Sequence, residues 1–132
     1  MIRLGKQKER LAIINDQHGA PTSAELLADC TAHALIHALQ KPQVAGVYHL
    51  AAAGETTWHD YAQYVFESVK NQTDLTVASI SAVTTSAYPT PARRPHNSRM
   101  NCDKFQQTFK LTLPHWTQGV SRMLNELFSI TL

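Results

Sequence analysis

The stretch Asn15-Asp16-Gln17-His18-Gly19-Ala20-Pro21-Thr22-Ser23-Ala24-Glu25 decides how this chain is read, because an apolar run stops there, a tight turn forms and a long helix begins. On its N-terminal side, Leu11-Ala12-Ile13-Ile14 is a short β-branched run ended by two turn formers, so it reads as a brief strand. Within the stretch, Gly19 supplies backbone freedom and Pro21 keeps Ala20 out of the helical region. Thr22 then fits an N-cap, with Glu25 three residues on completing a capping box. From Ser23 to about Gln40 the apolar set Leu26, Leu27, Cys30, Ala34, Leu35 and Ala38 falls on one helical face, and Lys41-Pro42 ends the helix.

Further out the same alternation continues. Gly46-Val47-Tyr48-His49-Leu50-Ala51 is short and apolar-rich between turn signals, which reads as a strand buried on both faces of a parallel sheet. Thr57 caps a second helix on which Trp58, Tyr61, Ala62, Val65, Phe66 and Val69 recur at helical spacing up to Asn71. Leu75 to Ile80 has strand propensity, and a long loop of Ser, Thr, Tyr, Pro and Arg then runs to residue 98. Asn101 caps a short helix reaching Phe109, and Pro114 opens a last helix striped by Trp116, Val120, Met123, Leu124 and Leu127. The order is β-α-β-α-β-loop-α-α, an α/β arrangement without internal repeats. At the start, residues 1–10 read as the last turns of an amphipathic helix without its beginning.

Composition narrows the function. A chain of 132 residues fits one domain and buries roughly two-thirds of its unfolded surface. With 43% hydrophobic and 17% charged residues and a formal charge of +2, no nucleic-acid partner is expected. Cys30 and Cys102 lie far apart, which argues against a zinc ribbon, a redox pair or a disulfide framework. No run approaches the roughly 20 apolar residues of a membrane span, and no leader-like h-region follows the N-terminal charges, so a cytoplasmic location is expected.

Few residues suggest chemistry. There is no nucleophile elbow and no H-E-x-x-H. Cys30, His33 and His37 have nominally metal-compatible spacing, but the histidines border the apolar stripe, where structural residues are commoner. Arg93-Arg94 with Asn97, Ser98 and Arg99 could clamp a diphosphate, since guanidinium forks match phosphate oxygens; a solvated basic loop explains them equally well. Asp16, Gln17 and Thr22 sit where a strand's carboxyl end meets a helix N-terminus, a place where open α/β sheets bind ligands. Turn chemistry accounts for Asp16 and Thr22 but not for Gln17 and His18. Trp58 and Trp116 read as core.

Taken together, Asn15-Asp16-Gln17-x-Gly19-x-Pro21-Thr22-x-x-x-Leu26-x-x-Asp29, Gly46-x-Tyr48-His49-Leu50, Thr57-Trp58-x-x-Tyr61-Ala62, Tyr88-Pro89-Thr90-Pro91-Ala92-Arg93-Arg94-Pro95-x-Asn97-Ser98 and Trp116-x-x-Gly119-Val120 resemble the C-terminal part of the dTDP-4-dehydrorhamnose reductases, over essentially the whole chain. That family belongs to the extended short-chain dehydrogenase/reductases, so the resemblance implies a single C-terminal substrate-binding portion, residues 1–132, lacking most of the Rossmann sheet and the N-terminal dinucleotide-binding domain. The implied activity is reduction of dTDP-4-dehydro-L-rhamnose to dTDP-L-rhamnose with NADPH or NADH, in the supply of rhamnose for cell-surface polysaccharides such as O-antigen. The family's Gly-rich loop and Tyr-x-x-x-Lys are absent: the residues four after Tyr48, Tyr61, Tyr64 and Tyr88 are Ala52, Val65, Ser68 and Ala92. Met1 therefore resembles an internal methionine, and neither cofactor binding nor turnover is expected of this chain alone. The resemblance places Asp16, Gln17, Gly19, Pro21, Thr22, Arg93, Arg94 and Asn97 on the dTDP-sugar side. It also suggests Glu25 and Glu126 as ligands of Mg²⁺ at a dimer interface. The apolar strand at residues 47–51, with its sheet incomplete, implies a dimer or strand-swapped assembly. The competing reading is a non-catalytic nucleotide-sugar-binding or oligomerisation module of the same fold.

Overall fold

A computed structural model describes residues 1–88 and 91–129. Pro89 and Thr90 of the Tyr88-Pro89-Thr90-Pro91 motif lie outside the described residues. The chain runs α1 (Ile2–Gly5), β1 (Arg10–Ile14), β2 (His18–Gly19), α2 (Ala24–Gln40), β3 (Thr56–Thr57), α3 (Trp58–Val69), β4 (Ser79–Val83), α4 (Asp103–Phe109) and α5 (Trp116–Ser129), with short 3₁₀ turns at Pro42–Val44 and Thr85–Ala87. β1 pairs in parallel with β4 from Arg10 opposite Ser79 to Ile14 opposite Val83. Residues 75–78 precede the ladder rather than belong to it, so the third strand begins four residues later than propensity suggests. β2 and β3 form a second, antiparallel pair, His18 opposite Thr57 and Gly19 opposite Thr56.

The helices follow the sequence pattern with local corrections. Ser23, not Thr22, caps α2: its hydroxyl oxygen accepts from the Leu26 N–H at 3.2 Å. Thr22 instead ties the loop down, donating to the Ala20 carbonyl and accepting from the Ala52 N–H, both at 3.0 Å. Thr57 caps α3 as expected, accepting from the Asp60 N–H at 3.1 Å. Only Cys30 of α2 is buried, while Leu35, Ile36 and Leu39 are exposed, so the apolar stripe is wider than the surface it covers. His33 Nε2 lies 3.2 Å from the Phe109 carbonyl and the His37 ring meets the Phe109 ring edge-on, which ties α2 to α4.

The segment at residues 46–51 is not a strand, and Val47 is 83% exposed. Its apolar character has another cause. Ala51 packs into a cluster with Cys30, Cys102, Phe105, Phe109 and Leu113, while its neighbour Ala52 packs into a second cluster with Val65, Val69, Trp116, Val120 and Leu124. The segment is thus an extended wedge between two helical cores. Just beyond it the chain is anchored without a strand ladder: the Ala53 N–H reaches the Pro114 carbonyl at 2.8 Å, and the Trp116 N–H returns to the Ala53 carbonyl at 2.9 Å. Gly54 follows with φ +81, turning the chain into β3. Among the described residues, no helix is long and apolar enough to cross a membrane.

Candidate functional site: a cleft between three loops

His18 is the residue through which three segments meet. β2 holds it against Thr57 on one side, while its N–H donates to the His96 carbonyl and its carbonyl accepts from the Ser98 N–H, both at 2.8 Å, on the other. The small ladder β3–β2–(96–98) therefore joins the 17–22 loop, the N-terminus of α3 and the Arg94 loop. Between them lies a cleft of about 570 Å³. Gln17, Gly19, Pro21, Thr22 and Arg94 line it, together with Trp58, Tyr61, Pro95, Ser98 and Met100. Another groove of about 510 Å³ runs along α3 and β4, but it gathers none of the residues that the loops bring together.

Other expected site residues stand one step back. The Asp16 carboxylate accepts from the Thr85 N–H at 2.9 and 3.0 Å and from the Thr85 hydroxyl at 2.6 Å. Those bonds favour the charged form and hold the carboxyl below its ordinary value of 3.8. Thr85, so fixed, accepts from Gln17 Nε2 at 3.1 Å, and Gln17 is only 7% exposed although it lines the cleft. Asp16 thus positions Gln17. Asn97 Oδ1 accepts from the Arg99 N–H at 3.0 Å and from its Nε at 2.9 Å, while Arg99 Nη1 pairs with Glu55 at 2.6 Å and lowers that carboxyl's pKa. Asn97 therefore braces the loop. Arg93 is exposed outside the cleft lining, and Arg94 is the guanidinium placed in it.

Trp58 departs most from the sequence reading. It was expected in the core but is 44% exposed at the cleft, with Tyr61 beside it at 6.2 Å between ring centroids. As the first residue of α3 it sits at the end of the stripe. Trp116, by contrast, is 7% exposed and packs against Tyr61 and Tyr64. Burial pushes the Tyr61 phenol above its ordinary value of 10.0, so it presents a neutral hydroxyl.

The two proposed Mg²⁺ ligands do not make a cation cage. Glu126 accepts from Arg122 Nε at 2.9 Å, and Glu25 also lies in the field of Arg122, which lowers its pKa behind the effects of its own N–H and the Ser23 hydroxyl. Within the chain Arg122 already occupies Glu126, and no group of three His, Cys, Asp or Glu among the described residues could hold a metal. A dinucleotide fits no better at the turn from β1 into α2. That turn carries one glycine, and Ser23 and Glu25 already serve the N–H groups that would face a pyrophosphate.

Comparison with known proteins gives a consistent set. The RmlD substrate binding domain matches residues 1–129. The dTDP-4-dehydrorhamnose reductase of Shigella flexneri is 64% identical over 132 residues, covering 99% of this chain and 44% of the relative. That of Salmonella typhimurium is 61% identical over the same shares. Among solved structures, the reductase of Clostridium acetobutylicum superposes with a TM-score of 0.79 at 25% identity, covering 96% of this chain and 41% of its own. That of Bacillus anthracis, in complex with NADP, gives 0.75 at 27%, covering 95% and 41%. The chain spans less than half the length of these relatives.

Proposed function

Since the chain belongs to the RmlD substrate binding domain family, we propose that its cleft binds the dTDP-sugar of a dTDP-4-dehydrorhamnose reductase, the enzyme that reduces dTDP-4-dehydro-L-rhamnose to dTDP-L-rhamnose. The observation that carries this is the cleft itself, where Arg94 shares the lining with aromatic and small side chains. A guanidinium binds a diphosphate through paired charge-assisted hydrogen bonds, and the apolar wall accepts the remainder of a nucleotide. Gln17 and Thr22 add neutral polar groups that orient a ligand without repelling its charge.

Hydride comes from NADPH or NADH in such a reductase, and this chain's residues are not where we place it. Residues 1–132 form the substrate portion in our reading, with the dinucleotide-binding domain elsewhere. With no Gly-rich loop and no Tyr-x-x-x-Lys, the chain alone does not turn over substrate. The site chemistry reserved to it is binding and orientation: Arg94 holds the diphosphate, and the braced loops keep the cleft's shape.

The test is titration of the chain with dTDP, followed by amide chemical shifts. Shifts confined to residues 17–22 and 94–98 are the expected result, and Arg94→Ala weakens binding about tenfold or more, the effect of losing a charge-assisted pair. Absence of any dTDP-dependent shift at millimolar ligand sinks the reading. A second reading, an oligomerisation module, is favoured by the edges of the β1–β4 pair, open among the described residues, and by the exposed Leu35, Ile36 and Leu39 of α2. It predicts self-association without nucleotide binding.

A further inference from the structure

Resting on the nucleotide-binding reading of the cleft, we propose that Trp58 is the platform on which the nucleobase stacks. Three aromatic rings line the cleft among the described residues, the His18 imidazole and the larger Trp58 and Tyr61, and the indole offers the widest face. Tyr61 is engaged on both sides, by Trp58 at 6.2 Å and by Trp116 at 6.1 Å between centroids. Trp58 keeps 44% of its surface exposed. The Thr57 cap fixes the backbone immediately before it, and the T-shaped contact with Tyr61 fixes the ring.

Trp58 and Tyr61 also line a groove of about 380 Å³ shared with Met1, Ile2 and Arg3, so these rings are the partition between that groove and the cleft. Arg94 lines the same cleft. A ligand that satisfies both the guanidinium and the indole has an anionic end and a flat, weakly polar end. In a sugar nucleotide the diphosphate is the first and the base is the second. The sugar offers C–H edges rather than a π-face, so the larger stacking gain belongs to the base.

The chain contains only two tryptophans, and Trp116 is buried, which makes emission a direct reporter. The experiment is titration with dTDP, following tryptophan emission and, independently, calorimetric affinity. The wild type, Trp58→Ala, Trp58→Phe and Arg94→Ala are compared after amide spectra show that each is folded. Wild-type binding with quenched emission is expected. Trp58→Ala binds about tenfold or more weakly, Trp58→Phe recovers most of the affinity, and Arg94→Ala binds weakly yet still quenches at saturation. Binding without quenching, or with Trp58→Ala unchanged, overturns the platform and leaves the cleft reading intact. Equal losses in the Ala and Phe variants overturn stacking as well. A wild type that does not bind dTDP overturns the cleft reading and the platform with it.

Discussion

The Asp16 carboxylate takes three hydrogen bonds from Thr85 alone, two from its N–H and one from its hydroxyl, and through Thr85 it holds the Gln17 amide at the cleft wall. Bonds to the charged form lower the folded pKa below 3.8, so ionised Asp16 stabilises the fold above the ordinary carboxylate range. That contribution is lost as pH falls through the lowered folded value, where the protonated acid is a poorer acceptor. Asp16→Asn is therefore expected to lower the urea midpoint at pH 7, and the gap to wild type should close as pH falls below the ordinary carboxylate value and through the lowered folded one. A gap that stays constant over that range would mean that the charge contributes nothing. At this scale the sequence was half legible: an Asx-turn explained why an aspartate stands at residue 16, but its long-range partner, 69 residues away, has no local signal. Trp58 illustrates the same gap from the other side. Its spacing matches the stripe of α3, but periodicity cannot say which residues of a stripe a neighbouring element covers.

Among the elements, the helices were legible because caps and 3.6-residue periodicity are local, and α2, α3, α4 and α5 start within two residues of their signals. The segment at residues 46–51 was not, because an apolar run bounded by turns looks the same whether strands or helices bury it. Here Ala51 and Ala52 face different helical clusters, and the chain is held by Thr22 and by the Pro114–Trp116 connection. The turn that follows is the element on which the cleft depends, since Gly54 delivers Thr56 and Thr57 to β2 and Trp58 to the cleft. Gly54→Ala meets two separate obstacles. Its φ of +81 strains any β-carbon, and that carbon would overlap the His115 ring. The substitution should cost about 1–3 kcal/mol in urea unfolding. In a double-mutant cycle with His115→Ala, relief of the overlap should restore part of the loss and leave about 1 kcal/mol from the positive φ. Full recovery in the double variant would show that backbone strain plays no part; an unchanged single variant would show that the turn is not held as described.

For the whole molecule, the α/β class could be read from the alternation of signals, but the sheet could not, because pairing is a long-range choice. β1 takes β4 as its neighbour across roughly the length of the chain between them, and both strands keep one unpaired edge among the described residues. Two strands make a sheet that is marginal by itself, and here α3 packs against it. The orphaned edges thus lie on β1 and β4, not on the 46–51 segment where the sequence suggested them. Open parallel edges with half-buried Leu11, Ile13 and Ile14 are templates for another strand, so concentration-dependent self-association is the expected behaviour of this chain. Ala12 is exposed at the middle of β1, where a lysine costs the fold little yet places a charge against any added strand. Sedimentation of wild type and Ala12→Lys over a wide concentration range, with dTDP present and absent, separates the two roles of the molecule. Edge pairing predicts that Ala12→Lys shifts the chain towards monomer while dTDP affinity stays within about twofold, because β1 lies outside the cleft lining. Equal association of both proteins would move the contact to another surface, the exposed Leu35, Ile36 and Leu39 of α2 being the next to substitute, and a wild type that remains monomeric throughout would remove edge pairing altogether.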